Sequence, residues 1–514
     1  MRGMLSERSA RFRLMLVLAS GMAIAAVLVL AGVGRAQEQT TVSSGGSAST
    51  QSVIPDDSGG EPARFLVPTK DGVTVKPILS AGDVVPNGAR KDYQMTGIPD
   101  GLGAYKAGGA LKMLMNHELD GEAPPNVGAR VSRLIINPET LNVKSASYPI
   151  TGREGFLRFC SSTLRYINGK PLYFTGEEST DNGSLTADPT DGLGRGGTSI
   201  VVNASTGGHR QTRHFGLLGH ENVVPIKGLA RADFLTTEDG AAAPIGSQDS
   251  DPEVNESQLY SYIAPTFGDA ISGDKGMLHA WKPNDDGSLD GDPSTDDIQR
   301  GETLKGHFVP ISQEDNSNAD ELEAAAQAKG AFDFVRLEDA AVSKTKPNVV
   351  YFNDTGSLGS ESNHGRLYKL KIDKAHPRKA SLTLLIDGDT STNPRLTNPD
   401  NLDTSEDSIV IQEDRNSEYR GQDAPGGGYG RVLVYNLETK NLRAVARVNT
   451  PPEDLPGEWE SSGVINASRL LGKDQWLLDV QAHTLEEEQP GRSLVPDSSV
   501  GEDGQLLKIK IPNS

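Results

Sequence analysis

Short apolar runs that stop on carboxylates recur along this chain, and that recurrence restricts it to a repeat fold. Leu111 to Met115 runs into Asn116, His117 and Glu118, and Leu172 to Thr175 into Glu177 and Glu178. Asp233 to Thr237 leads to Glu238 and Asp239, and Val349 to Phe352 to Asn353 and Asp354. Ile409 to Ile411 leads to Gln412, Glu413 and Asp414, and Trp476 to Leu478 to Asp479, Gln481 and His483. Return runs follow most of them, at Leu259 to Ile263, Gly365 to Ile372, Gly430 to Tyr435 and Gly504 to Ile511. Self-similarity of this length is how a β-propeller looks in one sequence, because each four-stranded sheet buries its faces only against its neighbours. The pattern predicts an all-β chain, a β-propeller of about six blades. Equivalent strand ends converge on the central channel of such a ring, and gathered carboxylates suit calcium or another hard cation.

Composition fits. The chain has 514 residues, 57 glycines and 30 prolines at 35% hydrophobic content, which suits many short strands joined by turns. One segment breaks the pattern: Asn318 to Lys329 contains Ala-Asp-Glu-Leu-Glu-Ala-Ala-Ala and predicts a short helical insertion.

The first residues lie outside any core. Arg2, Arg8, Arg11 and Arg13 precede an apolar stretch from Leu14 to Val33, followed by small residues Gly34 and Ala36. This is the form of a signal peptide, residues 1–36, with an uncleaved membrane anchor as the alternative. Residues 37–62 are rich in Ser, Gly, Thr and Gln and read as a flexible linker, which leaves 63–514 as the propeller domain. The expected location is secreted, periplasmic or extracellular, as a monomer with no stable membrane insertion once the leader is gone. The segment to Ala36 carries five arginines and one glutamate, so its loss takes the formal charge from −20 to −24. A surface that acidic repels nucleic acid and draws cations into acidic clefts.

Cys160 is the only cysteine, so no internal disulfide forms. Phe159-Cys160-Ser161-Ser162 precedes the run that ends at Glu177 and Glu178, which puts a thiol and two carboxylates at one end of the barrel if the first segment is a channel loop. Thiolate with carboxylates suits a transition metal, and carboxylates alone suit calcium. His220-Glu221 follows an apolar run, where an unpaired charge is costly. Arg336-Leu337-Glu338-Asp339 sets a cation and two anions in an apolar stretch. An arginine there is either a fork for an anion such as phosphate or half of a structural ion pair. Asn398-Pro399-Asp400-Asn401 adds oxygen ligands before Glu413 and Asp414, or is a plain turn. Asn284 to Asp290 has calcium-loop spacing without the last glutamate and reads as an acidic hairpin turn. Neither Gly-x-Ser-x-Gly nor His-Glu-x-x-His occurs, so serine-hydrolase and zincin chemistries are unsupported.

At these residues the chain resembles the PhoX family of secreted bacterial alkaline phosphatases. The resemblance is a series of ordered short matches: Met115-Asn116-His117-Glu118, Cys160 with Thr175-Gly176-Glu177-Glu178, Gly219-His220-Glu221, and Gly276 to Gly287. Phe334-Val335-Arg336-Leu337-Glu338, Pro399-Asp400-Asn401-Leu402, Ile411-Gln412-Glu413-Asp414, and Gly463 with Val480-Gln481-Ala482-His483 complete it. It implies a calcium and iron cluster (Ca2+ and Fe3+) in the channel that hydrolyses a small phosphorylated substrate. By motif, iron falls on Cys160, Glu221 and Glu338, substrate phosphate on Arg336, and calcium on residues such as Glu177, Glu178, Asp400 and Asp414. Ser161-Ser162 stands where the family usually has glycines, and Leu337 where it has proline, which marks a divergent member. The alternatives are another propeller hydrolase, of lactonase or phytase type, and a non-catalytic binding propeller stabilised by calcium.

Overall fold

The structure is a computed structural model that describes residues 64–87, 91–119, 128–180, 196–240, 256–284, 293–415, 419, 425–452, 454–484 and 502–514, to which all structural statements refer. The segments read as signal peptide and linker lie outside the described residues, as does the acidic hairpin beyond Asn284. No helix among the described residues is long and apolar enough to cross a membrane.

The chain forms a β-propeller. Six inner strands, Pro99–Ala107, Thr163–Ile167, His220–Ile226, Leu337–Val342, Pro399–Thr404 and Glu460–Asn466, each open a set of antiparallel strands that steps outward in sequence order. Each inner strand touches the next, and the last touches the first, so they enclose an axis. Two of the sets share one nine-stranded sheet, because Thr303–Ile311 pairs with both Met277–Pro283 and Lys379–Asp387. The C-terminal set is completed by the N-terminal strand Thr74–Ser80, paired with Asp503–Lys510. That exchange ties the two ends of the domain together.

The predicted runs are the second strands of these sets. Leu111 to Met115 lies in Ala110–His117, and Ile409 to Ile411 in Ser408–Glu413. They read as unbroken apolar runs, not as alternation, because each sheet is covered on both faces; every residue of Val349–Asp354 is buried. The core is divided accordingly. Six apolar clusters each draw on two neighbouring sets, such as Phe174 and Val201 with Phe234 and Tyr260, or Val434 and Val410 with Trp476 and Leu478. Burying such side chains contributes roughly 1.5–3 kcal/mol each, so the ring is held by contacts between sheets rather than by one central core. The axis is left to polar groups.

The helical insertion is Ala319–Gln327, with Asn318 as its N-cap accepting the Glu321 amide at 3.0 Å. Its buried residues, Ala319, Leu322 and Ala326, share one face at helical spacing.

Candidate functional site

The inner strands enter the channel in a repeated local form. Ile98, Arg158, Arg336 and Asn398 lie in the left-handed region at φ 35°, 47°, 57° and 46°, where non-glycine residues are uncommon. Ile98, Arg336 and Asn398 immediately precede an inner strand, and Arg158 precedes the bridge of Phe159 to Glu177. After the turn the pairing slips by a bulge, between Pro99 and Leu102, His220 and Asn222, Leu337 and Ala340, and Pro399 and Leu402. Bulges re-aim side chains. The result is one ring residue per repeat: Asp100, Cys160, Glu221, Glu338, Asp400 and Glu460.

Their ligand atoms form four overlapping triads, each within 4.8 Å: Asp100, Glu118 and Cys160; Cys160, Glu178 and Glu221; Glu221, Glu338 and Asp400; Asp400, Asp414 and Glu460. Glu118 and Asp414 immediately follow the second strands Ala110–His117 and Ser408–Glu413, and Glu178 lies two residues past Lys170–Gly176. The Cys160 thiol donates to Glu178 at 2.6 Å. A floor lies beneath. Asn401 donates to Asp100 at 3.3 Å and to Ser161 at 2.5 Å, and accepts the Gly463 amide at 2.9 Å, so one side chain spans the axis. Gly101 allows this closeness, since a Cβ there would sit 2.5 Å from the Cys160 carbonyl oxygen.

Of the residues predicted as ligands, Cys160, Glu178, Glu221, Glu338, Asp400 and Asp414 all fall in these triads, and Glu177 does not. The strand period of two explains the split, because neighbours point to opposite faces. The Glu177 carboxylate accepts the Leu157 and Thr198 amides at 3.1 and 3.2 Å and anchors the segment leading to Cys160. Glu238 and Glu413 hold the Gln258 and Thr397 amides in the same way. Replacing Glu177 by Ala is therefore expected to cost about 1–3 kcal/mol through orphaned amides while leaving calcium uptake intact. Glu178→Ala should weaken uptake instead. Paired thermal melts and calcium titrations check both, and equal uptake losses would assign Glu177 to the cluster after all.

Arg336 forks onto Asp239, with Nε to Oδ1 at 3.0 Å and Nη2 to Oδ2 at 2.9 Å, and lies 3.7 Å from Glu338. Of its two sequence readings, the ion pair is thus formed, with Asp239 rather than Glu338 as the closer partner. Its side chain keeps 29% exposure, so the guanidinium still reaches the channel mouth. Arg158 has the same place in its own repeat, two residues before the ring residue, and bridges Glu118 at 3.0 Å and Glu178 at 3.1 Å. His220 turns away from the ring, with Nε2 to the Gly216 carbonyl at 3.0 Å, and burial lowers it to about 4.

Sequence reasoning left Asp100, Glu118, Arg158, Asp239 and Glu460 out of the site. The signals were present as internal echoes. Pro99-Asp100-Gly101-Leu102 matches Pro399-Asp400-Asn401-Leu402, Phe159-Cys160-Ser161-Ser162 matches Trp459-Glu460-Ser461-Ser462, and Arg158-Phe159-Cys160 matches Arg336-Leu337-Glu338.

The electrostatics follow from crowding. Burial, then Glu118, raises Asp100 to about 8. Burial with neighbouring carboxylates likewise lifts Glu221, Glu338, Asp400 and Glu460 well above the usual range. Glu178 is also raised, by burial against the pull of Arg158. In Glu118 and Asp239 burial is outweighed, by Arg158 with Gln481 and by Arg336, and both are lowered. The Cys160 thiol is pushed up by burial and then by Glu118 and Glu178. One oxygen of Glu221 is buried with no hydrogen-bond partner. A donor set of crowded carboxylates with one orphaned oxygen fits a bound cation.

No protein-family model matches the chain, and no curated protein matches its sequence. Solved structures match loosely. The NanB sialidase from Streptococcus pneumoniae is 9% identical with a TM-score of 0.37, over 80% of this chain and 68% of that one. The Pseudomonas aeruginosa periplasmic gluconolactonase PpgL is 10% identical with a TM-score of 0.31, over 67% and 84%. A Mycobacterium tuberculosis puromycin-hydrolyzing peptidase is 8% identical with a TM-score of 0.32, and the matched region spans 43% of its length.

Proposed function

We propose that the chain is a metal-dependent hydrolase whose reaction takes place at the carboxylate ring. The four overlapping triads support this reading above all else. The hard oxygen set of Glu338, Asp400, Asp414 and Glu460 would hold calcium, and Cys160 with Glu178 and Glu221 would hold a transition metal such as iron. Cations so held neutralise oxyanion charge and activate water near neutral pH. The chain's own part is positional. Burial keeps the ring carboxylates close and poorly solvated, Asn401 fixes Asp100 against Ser161, and the floor closes the axis below. Arg158 and Arg336, partly exposed at the rim, would orient an anionic substrate while their carboxylate partners fix the forks in place.

The first substrate class is a small phosphate monoester, in line with the sequence resemblance. A second reading, a lactone or other neutral ester, is favoured by one observation: Asp239 already takes both arms of the Arg336 fork. The loosely similar propellers are named as hydrolases, none of them a phosphatase, and so leave that second reading standing. The test is turnover of p-nitrophenyl phosphate and of gluconolactone by the purified chain in calcium, with and without chelator, beside Cys160→Ala and Arg336→Gln. A phosphatase should lose phosphate turnover with chelator, and about 100-fold or more of kcat/KM in Arg336→Gln. Lactone turnover that survives both variants would select the second reading. No turnover on either substrate by calcium-loaded protein would leave a binding propeller.

A further inference from the structure

The other end of the channel mixes cations with carboxylates. Beneath the floor, a cavity of about 160 Å³ is bounded by Ser162, Arg165, Asn222, Lys344 and Asp403, among others. It opens into a wider recess of about 700 Å³, and the two share Ala104, Arg165, Lys344, Asn466 and Leu470 in their walls. Arg165, Lys344 and Asp403 lie three or more residues along the chain from the ring residues of their repeats, so they sit on the order of 10 Å below the ring.

We propose that this recess binds a small oxyanion between Arg165 and Lys344, with inorganic phosphate the best fit. Three observations carry it. Among the described residues the Arg165 guanidinium makes no hydrogen bond, although it is partly buried, so its planar fork is left for a ligand. The Lys344 ammonium makes one, to Asp403 at 2.6 Å, which leaves two N–H groups. The inner cavity holds several times the volume that one water needs, which is enough for a tetrahedral anion.

Local charge supports the same conclusion. Asp403 is the carboxylate bonded to Lys344, and its oxygens are also taken by the Thr404 and Asn466 amides at 2.7 and 2.8 Å. Asp339 likewise spends its oxygens on Asn222 and the Ala340 and Leu402 amides. Burial, then repulsion from Arg165 and Arg469, lowers Lys344 against the pull of Asp403. Glu406, Asp407 and Asp474 lie in the wider recess, not in the inner cavity. An anion at the inner position meets N–H groups of Arg165 and Lys344 that neither Asp403 nor Asp339 fills. This site is independent of the reaction proposed for the ring.

The experiment titrates the full chain with inorganic phosphate in excess chelator at constant ionic strength, reading calorimetric affinity and the thermal midpoint, with acetate as a second arm. Arg165→Gln should weaken phosphate binding about tenfold or more, and Asp403→Asn should strengthen it by removing the competing carboxylate. Arg378→Gln, at an exposed position outside both cavities, should bind as the parent does. A carboxylate source would show as acetate binding at least as tightly as phosphate, with the same dependence on Arg165. Unchanged binding in Arg165→Gln, no gain in Asp403→Asn, or an equal loss in Arg378→Gln would each overturn the site. Should Arg165→Gln fail to fold, the gain or its absence in Asp403→Asn decides.

Discussion

Calcium is expected to raise the thermal midpoint of this protein by on the order of 10 °C at pH 8, and by far less at pH 5. A ligand present at a thousand times its Kd contributes about 4 kcal/mol, and each kcal/mol moves the midpoint of a large domain by ~2–4 °C. The pH dependence comes from the ring. Asp100 is raised to about 8, and Glu178, Glu221, Glu338, Asp400 and Glu460 are also raised, each chiefly by burial. A carboxyl raised in the folded state holds a proton that the unfolded chain releases. Its stabilising contribution is complete below the unfolded value near 4 and is lost as pH rises through the folded one. Chelated protein should therefore weaken between pH 5 and 8, by roughly 1.4 kcal/mol per pH unit for each proton so held. Glu118 and Asp239 act with the opposite sign, since they are lowered and lose their contribution as pH falls. Their loss sets in only below about pH 4, so the six raised groups decide the slope between pH 5 and 8. A bound cation replaces the protons, so calcium should release protons into unbuffered solution and restore what high pH removed. Thermal scans from pH 5 to 8.5 with chelator or calcium check this. A chelated midpoint that holds steady across the range, or calcium that leaves it unmoved at pH 8, would contradict a cation site at the ring.

The fold was legible in the sequence because its second strands are covered on both faces. Such strands must be apolar throughout, and runs such as Ile409 to Ile411 show it plainly. The innermost strands were harder to see. Pro99–Ala107 and Glu460–Asn466 line a polar axis, carry Gly101, Gly103 and Gly463, and contain bulges, so they have neither an apolar run nor a clean period of two. That is also why Asp100 and Glu460 were passed over while Glu178 and Asp414, which terminate apolar runs, were found. Adjacent carboxylates were legible as pairs but not as individuals. Glu177 and Glu178 are chemically alike, and only strand phase sends one to the blade interior and the other to the channel. Arg336 stood out through the charges beside it in sequence, yet its fork meets Asp239, 97 residues away. No local pattern reports that.

Glu413 and Asp414 show the same division with the largest contrast, and exchanging them for neutral residues should give opposite results. Glu413 is fully buried, and its carboxylate takes Arg431 through Nε and Nη2 at 2.7 Å each and Arg415 through Nη2 at 2.9 Å. It also accepts the Thr397 amide at 3.0 Å, at the turn that leads into Pro399 and Asp400. Removing one member of a buried ion network strands the others, which costs about 3–5 kcal/mol. Glu413→Ala should therefore lower the midpoint strongly, by a similar amount with calcium or chelator. Asp414 faces Asp400 and Glu460 across the channel, where burial and then Asp414 itself hold Glu460 above its usual range. Asp414→Asn removes that repulsion, so it should stabilise chelated protein at pH 8 and weaken calcium binding in the same sample. Two adjacent residues at one strand end then separate what holds the ring together from what the ring is built to hold. If Glu413→Ala were destabilising only in chelator, or Asp414→Asn bound calcium as tightly as the parent, that separation would fail, and the alternation of strand faces could no longer tell structural carboxylates from ligands.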